Sequence, residues 1–95
     1  MKLAEYLKTT RIDLSDFKLG VITFDVYKSA YIGSSVYTKT VEFLCKNLGL
    51  EEPSASLSEL ITLDDNYLGL DLVRSIITVD TESDNLRLSF KVVVK

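Results

Sequence analysis

Asp80, Glu82 and Asp84 stand at i, i+2 and i+4, the spacing with which a calcium loop begins. Such a loop also needs glycine at its sixth position for a sharp turn and a bidentate glutamate at its twelfth. Those positions hold Asn85 and Lys91, so the match fails and no metal is expected. The three carboxylates, like the pair Asp64 and Asp65, read as solvated turn charges. Histidine is absent, which removes Ser-His and Cys-His nucleophile pairs and every His-ligated metal site within the chain. Cys45 is the sole thiol. It falls on an apolar stripe, where a thiol packs as a small hydrophobe with its pKa raised. The glycines at 20, 33, 49 and 69 are isolated from one another, so no phosphate-cradling loop and no cofactor is expected. No catalytic residue is assigned, and the chain reads as non-enzymatic.

Recognition chemistry has more support. Arg87 and Lys91 lie on one face of a C-terminal alternating strand, with Lys95 beyond them, and Tyr27 ends an earlier strand beside Lys28. Basic side chains beside an exposed ring are the ingredients of a platform for single-stranded nucleic acid. The hairpin around them is acidic, however, and a second stacking aromatic is missing. An ordinary solvated sheet face is the plainer reading. Tyr27, Tyr31 and Tyr67 sit at strand ends or in loops, where a ring with a wet hydroxyl suits a contact surface. Together with Arg87, Lys91 and Val93 they form the candidate interaction surface.

The elements that must position these residues follow from periodicity. Leu3, Tyr6 and Leu7 recur at helical spacing over 2–9, giving a helix too short to stand alone. Ile12, Leu14 and Phe17 then look like an extended anchor over a core edge. Ile22, Phe24 and Val26 alternate with Val21, Thr23, Asp25 and Tyr27, predicting a strand over 18–28. Tyr37, Val41, Leu44 and Leu48 step by four, three and four, with Cys45 beside Val41, and predict the main helix over 34–48. Ser34 or Ser35 would cap that helix and Gly49 would end it. The stretch 51–56 is a loop. Ser56 and Glu59 have capping-box spacing ahead of a short helix near 57–62, and Asp64-Asp65-Asn66 reads as a turn. The run 70–77 fits either period, but Ile76-Ile77-Thr78-Val79 favours a strand over 73–81. Leu86, Leu88, Phe90, Val92 and Val94 form the buried side of a last strand. The polar break at 82–85 joins the two strands as a β-hairpin.

The expected fold is therefore α+β, one domain over 1–95. An antiparallel sheet of three to four strands carries the 34–48 helix on one face, with a short N-terminal helix and a C-terminal hairpin. The bulk numbers agree: the chain has 95 residues, 46% hydrophobic and 26% charged, the composition of a folding domain. A net charge of -3 opposes nonspecific binding to phosphate backbones. No apolar run reaches the ~20 residues of a membrane-spanning helix, and Glu5 interrupts what a signal peptide would keep apolar. With a single cysteine, these features point to the cytoplasm and to no membrane partner.

The resulting functional expectation is a non-enzymatic interaction module that binds another protein or itself. The strand 86–94, apolar on both faces at Val92-Val93-Val94, is the expected edge, and a homodimer through it the expected mechanism. A nucleic-acid-associated accessory protein using the basic sheet face is the alternative. No residue motif marks a family. In general style the short, acidic, histidine-free chain resembles small accessory proteins of phages and mobile elements, which implies binding and blocking of a host component.

Overall fold

A computed structural model describes residues 1–30, 33–45 and 54–95. The element order is α1 (Leu3–Thr9), β1 (Arg11–Asp13), β2 (Leu19–Lys28), β3 (Tyr37–Leu44), β4 (Ser54–Ser56), α2 (Leu57–Leu60), α3 (Asp65–Leu68), β5 (Leu72–Glu82) and β6 (Asn85–Val94). The α+β class is as expected. Four strands form the main sheet in the order β3-β2-β6-β5, and β1 pairs with β4 in a second, two-stranded sheet.

Alternation builds the core. Ile22, Phe24 and Val26 of β2 and Leu86, Leu88, Phe90, Val92 and Val94 of β6 are buried on one face of the main sheet. Phe24 and Phe90 lie directly opposite each other, their rings stacked at 6.1 Å. Over this face lie Leu3, Tyr6 and Leu7 of α1, Leu57 and Leu60 of α2, and Ile61 and Leu63 beyond it. Each such side chain contributes about 1.5–3 kcal/mol by leaving water. The short helices are pinned by this packing and by local bonds. Glu59 accepts the Ser56 N–H at 2.7 Å, and Asp64 accepts the Asn66 N–H at 2.9 Å. The latter bond begins α3 where a bare turn was expected.

Three expectations are corrected. First, the main helix over 34–48 is absent from the described residues: Tyr37–Leu44 is strand β3, and residues 46–48 lie outside the described set. Tyr37, Val41 and Phe43 are half-buried against the core on one side, while Thr38, Thr40 and Glu42 are exposed on the other. The covering layer is built from α1, α2, α3 and the β1–β4 pair instead.

Second, the main sheet is mixed, because β2 and β6 run parallel from Leu19↔Asn85 to Lys28↔Val94. With β1 and β4 there are six strands among the described residues, against the three to four expected.

Third, the strand 86–94 is not an edge. It lies between β2 and β5, with both sides occupied, so pairing through it with another chain is excluded. Val92, Val93 and Val94 are all buried, as suits an interior strand with a neighbour on each side. The edge is β5.

Candidate functional site

The outer face of the main sheet is built by the residues that alternate with the core positions. Register fixes its rows. Tyr27, Val93 and Arg74 stand side by side across β2, β6 and β5, and Asp25, Lys91 and Ile76 form the next row. Then comes a row of hydroxyls across all four strands: Thr40, Thr23, Ser89 and Thr78. Glu42, Val21, Arg87 and Asp80 follow.

The first two rows enclose a shallow hollow of about 270 Å³, lined by Tyr27, Gly33, Arg74, Ile76, Lys91 and Val93. Three of the six expected surface residues, Tyr27, Lys91 and Val93, meet there. Val93 is its buried floor, with 7% exposure. Arg74 and Ile76 join them through the expected β5–β6 hairpin, whereas Tyr27 meets them only through the parallel β2–β6 pairing. Asp25 accepts a hydrogen bond from Thr38 Oγ1 at 2.8 Å. The hollow therefore offers two cations, an apolar floor and one ring.

The other expected residues lie elsewhere. Arg87 is two rows away, beside Asp80. Tyr67, on α3, packs against Tyr37 with ring centroids 5.2 Å apart and donates a long hydrogen bond to the Val36 carbonyl at 3.4 Å. Tyr31 lies outside the described residues. Cys45 is partly buried against the core, and that burial pushes its thiol pKa up, as expected of a packing residue. Among the described residues no group of three or more Cys, Asp or Glu side chains could hold a metal ion.

The second surface is the β5 edge. Val73, Ile76, Ile77 and Val79 of β5 are 50%, 56%, 43% and 58% exposed. Ile77 and Val79 stand opposite Phe90 and Leu88, on the core side of the sheet. The covering layer stops short of them. Proteins usually blunt such an edge with lysine, proline, a bulge or a covering segment. Leu72–Glu82 contains neither lysine nor proline, its charges Arg74, Asp80 and Glu82 lie toward its two ends, and its one irregularity lies between Leu72 and Arg74. That end is also closed by residues 1–3. Leu3 N–H donates to the Leu70 carbonyl and Leu72 N–H to the Met1 carbonyl, each at 2.9 Å, and Lys2 pairs with Asp71 at 2.8 Å.

No family model, curated protein or solved structure matches this chain. Among the described residues no helix is long and apolar enough to cross a membrane.

Proposed function

We propose that this chain is a non-enzymatic interaction module whose working surface is the open edge of β5. The observation that carries the reading is an 11-residue edge strand, Leu72–Glu82, with apolar side chains exposed on both of its faces. Unpaired main-chain groups and neighbouring apolar side chains are what strand addition uses, the first for affinity and the second for register. Binding of a protein partner, followed by calorimetry, tests it. Val79→Lys on the exposed edge should abolish binding while leaving the circular dichroism spectrum unchanged. Undiminished binding by that variant would refute the reading.

A second reading, a nucleic-acid-associated accessory role, is favoured by the gathering of Tyr27, Arg74 and Lys91 at one hollow. Stacking on one ring with two cations would give weak, salt-dependent retention on single strands. Retention that falls with salt and is lost in Tyr27→Ala would favour it over the edge reading. Absence of retention at low salt removes it.

A further inference from the structure

The geometry of β5 says what can pair with it. The hairpin loop is two residues long, Ser83-Asp84, and closes on the pair Glu82↔Asn85. Such loops close on a pair that exchanges both of its hydrogen bonds, and bonded and non-bonded pairs then alternate along the ladder. Arg74, Ile76, Thr78, Asp80 and Glu82 thus turn their main-chain groups toward β6. Ser75, Ile77, Val79 and Thr81 turn theirs outward. Beyond Ser75 the register shift and the Met1–Leu72 bond end the free stretch. The open edge is therefore Ser75–Thr81, and its midpoint is Thr78.

We propose that this edge is occupied by a second copy of the chain, paired antiparallel about a twofold axis at Thr78; this rests on the edge reading above. Ser75 then faces the partner's Thr81, and Ile77 faces the partner's Val79. All four outward-facing residues pair among themselves, giving roughly eight main-chain hydrogen bonds, two per pair. Moving the axis to Ile77 would bring the partner's Glu82 against Leu72, where Met1 already sits. Moving it by one position along a single strand would set outward groups against inward ones.

Side chains agree with this register on both faces. On the core side, Ile77 and Val79 of each copy merge into one apolar stripe that continues the layer of Leu88 and Phe90. On the outer side, Arg74 faces the partner's Glu82 at each end of the pairing. Among the described residues neither Arg74 nor Glu82 makes an ion pair or a side-chain hydrogen bond within the chain. At the axis Thr78 faces its own copy, so the hydroxyl row from Thr40 to Thr78 runs unbroken through both sheets. Cross-strand threonine pairs are favourable. Ile76 would face the partner's Asp80, which keeps Arg87 on its other side.

The test is cysteine cross-linking with sedimentation of the intact chain. In a Cys45→Ser background, Thr78→Cys puts two thiols on a non-hydrogen-bonded pair with Cα atoms ~4.5 Å apart, within disulfide reach. Oxidation should give a covalent dimer from Thr78→Cys. It should give none from Ile76→Cys, whose copies are offset by ~13 Å along the strand. Sedimentation should show a wild-type dimer, and Val79→Lys should weaken it on the order of a hundredfold, because two apolar side chains lose burial at once. A monomer at every concentration overturns the self-pairing alone. The edge reading then stands if Val79→Lys still abolishes binding to a different protein. A dimer indifferent to Val79→Lys overturns both.

Discussion

Gly20 lies directly opposite Phe43 across the β2–β3 ladder, and the Phe43 ring occupies the space that a Cβ at position 20 would need. The ring closes the core at a point where β2 has no side chain to offer. Gly20→Ala must displace it. The expected loss is about 1–3 kcal/mol, the cost of overpacking a filled site, read as a lower urea midpoint with an unchanged slope. Phe43→Leu should remove part of that penalty, so the double variant is less destabilised than the sum of the singles.

Tyr6 is buried to 8% exposure, and among the described residues its hydroxyl has no hydrogen-bond partner. A buried hydroxyl without a partner carries its desolvation cost uncompensated. Tyr6→Phe should therefore hold or raise stability, by up to ~1 kcal/mol, in chemical denaturation. A clear loss would mean that the hydroxyl is bonded in solution.

Ser83, the first of the two hairpin loop residues, has φ 56°. Side chains with a Cβ disfavour that region, whereas glycine enters it freely. Ser83→Gly should stabilise the β5–β6 hairpin by about 0.5–1 kcal/mol, visible as a higher Tm. Ser83→Val should do the reverse.

Lys2 holds the Asp71 carboxyl below its usual pKa, first through their hydrogen bond and then through its charge. A carboxylate with a depressed folded pKa contributes stability that is complete above its unfolded pKa, ~3.9, and is lost as pH falls through the folded value. Asp71→Asn should melt below wild type near neutral pH, with the gap closing as pH drops below ~4. Melting curves across that range check it. The gap should be small and should shrink in salt, since both side chains are more than half exposed, at 52% and 57%.

Most local elements were legible because side-chain period alone decides them. The alternation at 18–28 and 86–94, the Leu3-Tyr6-Leu7 stripe and the Ser56–Glu59 pair each became the expected element. The error at 37–44 has a definite cause. Tyr37, Val41, Leu44 and Cys45 fit a helical stripe, but Tyr37, Val41 and Cys45 also fit one face of a strand if Lys39 points inward with Val41 and Phe43, which leaves Leu44 on the exposed side. Lys39 does lie in that row, and its amine reaches out to the Thr62 carbonyl at 2.9 Å. A lysine at an inward position disguised the alternation. Phe43, stranded off the helical stripe, and the β-branched Thr38, Thr40 and Val41 were the signals against a helix.

Beyond the β5–β6 hairpin, strand order was not legible, because it depends on pairing between distant segments. The candidate surface was therefore found in part. Tyr27, Lys91 and Val93 could be placed on outer faces by alternation and Arg74 and Ile76 follow from the hairpin register, but the parallel β2–β6 pairing that brings Tyr27 to the other four could not be read. The Val92-Val93-Val94 run, apolar on both faces, fits an interior strand better than an exposed edge.

The bond from Leu72 to the Met1 carbonyl has a practical consequence for any fusion protein. Because residues 1–3 run antiparallel to residues 70–72, a peptide joined ahead of Met1 would emerge beside the start of the open edge. An affinity tag placed there could lie along β5 as an intramolecular competitor and mask the association being assayed. A tag attached after Lys95, whose N–H is bonded to the Asp71 carbonyl on the β6 side, leaves from the opposite flank of β5. The two placements of one tag thus make a matched pair, one obstructing the edge and one sparing it.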